Sequence, residues 1–297
     1  MTPMADEPFI DVHIHYWDHS VEGLEWAWLK SGFTFRRWEG SDALDAPRYT
    51  TPEFVAEAEG TGLVGSVHVH AADPLEDRAA ETAWLEAVAE DTGMPDGIVG
   101  GCLLGRPDAP DLLRRHAAHP RLRGVRDWES GTHLEIDEIS AAMDVAAELG
   151  LSVELRRSHD EFDVLETIAA KWPTVAIALS HACLPLDRTP ADLAAWSAAM
   201  KRLGAHPNVV CKISAVAGAS DPEWTVASIR PWILSCVENL GADRCMFGSN
   251  FPVDRLFSSY RALIDAYREA TAELSAAERA AIFHETAERV YRLRDER

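Results

Sequence analysis

Eight short apolar, β-leaning runs constrain this chain more than any other feature, because turn residues bound each run and helical periodicity fills most of the gaps. The runs are Phe9 to His15, Gly65 to His70, Ile98 to Leu104, Leu122 to Trp128, Leu151 to Arg157, Val175 to Cys183, Asn208 to Val216 and Arg244 to Asn250. Between them, Glu81 to Asp91 sets Trp84, Leu85 and Val88 on one stripe, and Asp137 to Leu149 does so with Ile139, Met143, Ala146 and Ala147. Asp160 to Trp172, Pro190 to Leu203 and Pro222 to Leu240 repeat the theme, and Gly150 and the Trp172-Pro173 pair read as helix stops. Strands alternating with helices imply parallel βαβ units, and near-continuous apolar strands imply burial on both faces. Eight such units fit an α/β fold of the (β/α)8 TIM-barrel type better than the alternative, an open doubly wound sheet. With no Gly/Ser linker, low-complexity tract or fixed-period repeat, residues 1–297 read as a single domain.

Composition narrows the function classes. Apolar residues make up 47% of the chain, ample for a core, and 49 acidic against 28 basic residues give a formal charge of −21. That excess argues against a sequence-independent grip on nucleic-acid phosphates or anionic lipid, so no nucleic acid and no membrane are expected as partners. A small anionic substrate stays open, because a few buried arginines can dominate a pocket. No run approaches the roughly 18 apolar residues of a membrane span, and Met1 to Pro8 has neither the basic flank nor the apolar stretch of a signal peptide. Cys102, Cys183, Cys211, Cys236 and Cys245 are odd in number and include no Cys-x-x-Cys pair, so they read as buried free thiols of a cytoplasmic protein.

The segment from Asp18 to Tyr49 is too long for a plain connection after a first strand. It carries Trp26, Trp28, Phe33, Phe35, Trp38 and Tyr49, with Arg36 and Arg37 beside them. Long loops at strand C-termini build barrel sites, which suggests an aromatic lid over a pocket; a helical hairpin plugging the barrel end is the alternative.

Asp11-Val12-His13-Ile14-His15 is the sharpest local signal. Alternate residues of a strand share a face, so His13 and His15 point the same way at the end of the first strand. Two imidazoles there can bind a divalent cation such as zinc, although His68-x-His70 shows how easily the spacing arises. Further ligands must come from other strands, and His181 closes the sixth run in Leu179-Ser180-His181. After the eighth run a carboxylate could both bind metal and take a proton from water, but Phe247-Gly248-Ser249-Asn250-Phe251-Pro252 offers Asn250, an amide that cannot act as a base. Arg126, late in the fourth run, can clamp a carboxylate or carbonyl. Arg156 and Lys212 are cations in otherwise apolar runs, and Glu154 is an acid in another. Lys212 should meet an acid, a substrate or solvent, and an internal salt-bridge network is the competing reading. No G-x-G-x-x-G follows a strand, and no phosphate-binding P-loop or G-x-S-x-G elbow occurs.

Taken in order, Asp11-Val12-His13-Ile14-His15-Tyr16-Trp17-Asp18, Trp26-Ala27-Trp28-Leu29, Leu122-Arg123-Gly124-Val125-Arg126, Leu179-Ser180-His181, Val209-Val210-Cys211-Lys212-Ile213-Ser214 and Met246-Phe247-Gly248-Ser249-Asn250-Phe251-Pro252 resemble the amidohydrolase-related group of metal-dependent hydrolases. The likeness is nearest to its sugar-lactone and pyrone-dicarboxylate lactonase types, and it extends to a terminal helix over Leu274 to Leu293. It implies a barrel hydrolase that opens small lactones with water. His13, His15 and His181 would line the metal or carbonyl site, Arg126 would hold a substrate carboxylate, and Lys212 and Trp28 would contact substrate. Asn250 departs from the aspartate usual in the family pattern, which bears on both the fourth ligand and the base. The group also includes members thought to work without metal. Asp254 can substitute as base, though a surface acid or helix cap is the reading its position favours.

Three functions follow as expectations. The first is hydrolysis of a small carboxylated lactone or related ester, with a divalent metal or with the histidines and Arg126 alone. The second is non-oxidative decarboxylation of an aromatic or enoic acid. The third is a catalytically lapsed barrel that only binds a ligand. The substrate and the oligomeric state, a homo-oligomer included, are left open.

Overall fold

In a computed structural model describing residues 7–30, 41–74, 77–127, 135–218 and 221–293, eight parallel strands pair with their neighbours in chain order. They are β1 (Phe9–Ile14), β2 (Leu63–Val69), β3 (Gly97–Gly101), β4 (Leu122–Arg126), β5 (Ser152–Leu155), β6 (Ile177–Leu179), β7 (Val209–Ile213) and β8 (Cys245–Phe247). Register partners such as Gly124 with Ser152 and Ala178 with Val210 keep each strand level with the next. The ends of the sheet meet just past β8. Asn250 donates its backbone N–H to the His13 carbonyl at 2.8 Å, His15 donates to the Phe251 carbonyl at 2.8 Å, and Ile14 bridges Phe251 in parallel. The result is the expected (β/α)8 barrel, closed at the point where the candidate site residues His13, His15 and Asn250 stand.

All eight sequence runs hold strands, most of them trimmed at their ends, while β2 and β3 begin at Leu63 and Gly97, before their runs; Trp128, at the end of the fourth run, lies outside the described residues. Helices α1 (Thr51–Ala58), α2 (Ala80–Thr92), α3 (Ala109–His116), α4 (Ile136–Leu149), α5 (Phe162–Lys171), α6 (Pro190–Leu203), α7 (Val226–Leu240) and α8 (Tyr260–Ala270) surround the barrel. The expected α6 begins where Thr189 caps the Asp192 N–H with Pro190 in the first turn, and α4 ends at Gly150 with φ +63°. Three helices were not expected. Helices α1 and α3 are two turns each, too short to establish a period, whereas α8 carries Tyr260, Leu263, Ile264 and Tyr267 at helical spacing and was legible.

The lumen and the outer shell use opposite strand faces. Ile10, Val12, Val67, Val69, Val99, Ala178, Val210 and Met246 fill the interior together with Ala287 and Tyr291 from the terminal helix. Phe9, Ile14, Val125, Val153, Leu179, Ile213 and Phe247 pack outward on the helices. The five cysteines are buried free thiols. After β1 the long segment forms no helical hairpin among its described residues. It makes two-residue antiparallel pairings of Trp17–Asp18 with Arg48–Tyr49 and of Leu24–Glu25 with Asp73–Pro74, and 3-10 turns at Ala27–Leu29 and Ser41–Leu44. Trp26 and Tyr49 are buried there, while Phe33, Phe35, Arg36, Arg37 and Trp38 lie outside the described residues. No helix among the described residues is long and apolar enough to cross a membrane.

Candidate active site

Strict alternation along β1 would send His13 outward, because Ile10 and Val12 already face the lumen. The register of β1 against β2 shifts between Asp11 and Ile14, and such a bulge re-aims the side chains that follow it. Asp11 takes the outer position: its carboxylate accepts the Ser249 N–H at 2.9 Å, the His13 N–H at 3.1 Å and the Tyr260 hydroxyl at 2.9 Å. His13 turns inward, where its ring centroid lies 5.0 Å from that of His15 and 4.4 Å from that of His181. Gly248 makes the inward turn possible, since a Cβ there would stand 2.6 Å from the Cβ of His13.

His181 arrives from β6 through an unusual turn. His181, Ala182 and Cys183 all have left-handed backbones, with φ of +54°, +52° and +50°. For non-glycine residues this costs about 1–3 kcal/mol each, a pattern concentrated at functional sites. Asn250 at φ +59° is a fourth case in the same barrel mouth.

The three rings differ in what their nitrogens do. His15 Nδ1 contacts the Val69 carbonyl at 2.9 Å and its Nε2 lies 3.3 Å from the Asn250 side-chain oxygen. His181 Nδ1 meets the Ser214 hydroxyl at 2.8 Å. Both ring nitrogens of His13 are buried with no hydrogen-bond partner. His13 and His15 are buried, whereas His181 is half-buried and reachable by water. Burial keeps all three neutral. Lys212 adds the leading charge that holds His13 well below the ordinary histidine range, and Arg126 helps bring His15 to about 3. Arg126 and then Arg156 act in the same direction on His181.

Arg126 ends β4 level with Glu154 across the β4–β5 pairing and is half-buried. Burial lowers its pKa while Glu154 opposes the shift. Lys212 is fully buried and places Nζ 2.6 Å from Glu154 Oε1, which also accepts the Tyr291 hydroxyl at 2.8 Å. Burial still pulls Lys212 down to about 8. The internal salt bridge left open by the sequence is therefore present, below the histidines and above the Tyr291 plug. Trp28 spends its indole N–H on the Ala71 carbonyl at 2.8 Å and leaves its ring 6.1 Å from that of His15.

The reading of Asp254 as a surface acid is corrected. It is buried, accepts a 2.8 Å hydrogen bond from Asn250 Nδ2, and leaves its second oxygen unpartnered. The cis-proline-containing segment after β8 folds back as a 3-10 turn at Val253–Leu256, which sequence spacing did not reveal. Ser214 was another residue missed, although it directly follows the Lys212-Ile213 strand end. His68 and His70 belong to the supporting wall: His68 Nε2 accepts the Tyr16 backbone N–H at 2.9 Å, and His70 sits 3.9 Å from Glu81.

The donor set does not fit a resident divalent ion. Asn250 offers an amide rather than a carboxylate, its side-chain oxygen stands 3.3 Å from His15 Nε2, and among the described residues no group of three His, Cys, Asp or Glu side chains is arranged to hold a metal. What remains is a pair of adjacent neutral imidazoles tilted by 34°, one of them open to water, with a guanidinium nearby.

A parallel eight-stranded barrel with imidazoles, an arginine and strained loops gathered at the strand C-termini defines a barrel enzyme. Its family follows from comparison: the amidohydrolase family model matches residues 10–293, and the chain belongs to that family as a hydrolase of the amidohydrolase superfamily. An uncharacterised protein, y4mH, of Sinorhizobium fredii is 35% identical across 98% of this chain and 100% of its own length. An L-fucono-1,5-lactonase of Burkholderia multivorans is 29% identical across 96% of each chain. A crystal structure of an amidohydrolase from Burkholderia multivorans with bound zinc superposes with a TM-score of 0.80 at 24% identity, covering 96% of this chain and 99% of that one.

Proposed function

We propose that this protein hydrolyses a small lactone bearing a carboxylate, using its own side chains for the proton transfers. The observation that carries the reading is the His13–His181 pair, whose uncommitted nitrogens lie in a buried mouth beside Arg126. The lactonase name of a relative covering nearly the whole chain supports the same reaction class.

Arg126 holds the substrate carboxylate, a pairing suited to its planar fork of donors. Ser214 accepts the Nδ1–H of His181, which leaves Nε2 as the base. Nε2 takes a proton from water while the water oxygen bonds to the lactone carbonyl carbon. His13, as an N–H donor, steadies the oxygen that gains negative charge. The tetrahedral intermediate collapses, the ring C–O bond breaks, and the leaving alkoxide recovers its proton from His181, giving a hydroxy acid. The Trp28 ring forms an apolar wall. Lys212, tied to Glu154, adds to burial in keeping His13 unprotonated. The amidohydrolase from Burkholderia multivorans holds bound zinc, whereas in this chain each proton transfer falls to a side chain.

The test is a panel of carboxylated lactones with metal content and chelation measured in parallel. Turnover with gain of one water, unaffected by chelation, is expected. His181→Ala should lower kcat by about 10²–10⁴-fold, the usual worth of a positioned general base. Release of carbon dioxide would indicate decarboxylation, tight binding without turnover a lapsed barrel, and full activity in both His13→Ala and His181→Ala a wrong site.

A further inference from the structure

Arg157 is a buried cation that the proposed reaction does not use. It follows Arg156 just past the end of β5, and the two neighbours serve different places. Arg156 adds its charge at His181 in the barrel mouth, whereas Arg157 lines a cavity of about 520 Å³ between the N-terminal turns of α4 and α5. Arg157 is 4% exposed. Its Nη1 donates to the Arg156 carbonyl at 2.7 Å, and its Nη2 is buried with no hydrogen-bond partner among the described residues. A guanidinium is costly to take out of water, so an unmet N–H on one marks a place that a ligand completes. The cavity falls within the range of small-molecule sites, about 300–1,000 Å³.

The acids of the lining have the opposite charge, and none of them closes on that cation. Asp163 is engaged by Arg202, whose Nη2 donates to its Oδ1 at 2.7 Å, and Glu161 accepts the Ser158 N–H at 3.3 Å. Glu135 and Asp137 are exposed at the start of α4 and make no ion pair among the described residues. Both sit where the positive end of the helix dipole favours an acid, which gives them a reason to stay at the rim. Ile136 and Val164, both half-buried, supply an apolar wall.

These charges select among ligands. An inorganic anion is drawn by Arg157 and repelled by the rim, and a simple amine meets the reverse. A molecule with one carboxylate and one ammonium answers both charges at once. We propose that this cavity is a second binding site, apart from the histidines, for a small zwitterion of the amino-acid class. Its carboxylate takes the Nη2 of Arg157, its ammonium lies toward Glu135 and Asp137, and an apolar side chain covers Ile136 and Val164. The site does not depend on the lactonase reading.

The test is titration calorimetry of the intact protein with L-leucine and its two deletion analogues, isocaproate, which lacks the ammonium, and isoamylamine, which lacks the carboxylate. Saturable one-to-one binding of L-leucine is expected, with each analogue weaker by about tenfold or more, the worth of one charge-assisted contact. Arg157→Met keeps the apolar stem and should weaken L-leucine by about 10- to 100-fold. Asp137→Asn combined with Glu135→Gln should weaken L-leucine but not isocaproate, because the rim no longer repels the acid. Arg126→Met should bind L-leucine as the wild type does. The proposal is overturned if L-leucine does not bind, if isocaproate or inorganic phosphate binds as tightly, or if Arg157→Met is unaffected. Loss of binding in Arg126→Met overturns it too, by putting the ligand in the barrel mouth. If Arg157→Met does not fold, the rim variant and the two analogues decide.

Discussion

A buried imidazole has to find hydrogen-bond partners inside the protein, and the three site histidines answer that need differently. His15 meets a protein oxygen at each nitrogen, His181 is held by Ser214 on one side only, and His13 has nothing on either nitrogen. Unspent polar atoms in a closed site are a cost unless a ligand completes them, so they mark where substrate or water belongs. In the proposed reaction Arg126 binds the substrate carboxylate, and removing it would leave that carboxylate desolvated without its partner. Arg126→Met should therefore lower kcat/KM on a carboxylated lactone by about 2–5 kcal/mol, chiefly as a raised KM. A neutral ester of similar shape should lose far less. Equal losses on both substrates would remove Arg126 from the carboxylate-binding role. The sequence named these residues because charged and polar types inside apolar runs are rare. It misread Asp254, since nothing local distinguishes a buried acid in a 3-10 turn from a surface one.

Elements decide where those side chains point. The two-residue spacing put His13 and His15 on a common side, but which side depended on the irregularity between Asp11 and Ile14, which the chain creates by seating Asp11 on Ser249 and Tyr260. The seat lies across the barrel seam and involves a residue 238 positions away, so no local pattern contains it. Gly248 belongs to the same device. Gly248→Ala forces its new methyl onto His13, and overpacking of this kind typically costs about 1–3 kcal/mol. The expected outcome is a lowered melting temperature together with an activity loss larger than the stability loss explains. Full activity in a merely destabilised Gly248→Ala protein would mean that the inward setting of His13 is not needed.

At the scale of the molecule, the barrel buries many ionisable rings without charging them. His13, His15, His68, His70, His116 and His181 all have pKa values below the ordinary histidine value, with His70 near 3 and His116 near 4. Burial is the leading cause in each. The unfolded chain binds these protons below about pH 6.5 while the folded protein refuses them, so stability falls as pH drops through that value. Each group contributes about 1.4 kcal/mol per pH unit until its folded pKa is reached. Asp11, Glu81 and Asp254 are shifted upward and act in the opposite sense, Glu81 to about 8, but they are fewer. Melting temperature should therefore decline steadily between pH 6.5 and 4 under constant ionic strength. A flat profile over that interval would show that the histidines take up protons in the folded state.

The sequence by itself determined the architecture, because strand and helix periods are local, repeat eight times, and leave the barrel as the best way to bury both faces of the sheet. It also placed His13, His15, Arg126 and His181 at or just past strand ends. Tertiary structure alone decided the direction of His13, the pairing of Lys212 with Glu154, and the chain from Asp254 through Asn250 to His15. Each depends on groups from distant parts of the chain meeting at a closed seam, where the lack of water makes every hydrogen bond obligatory.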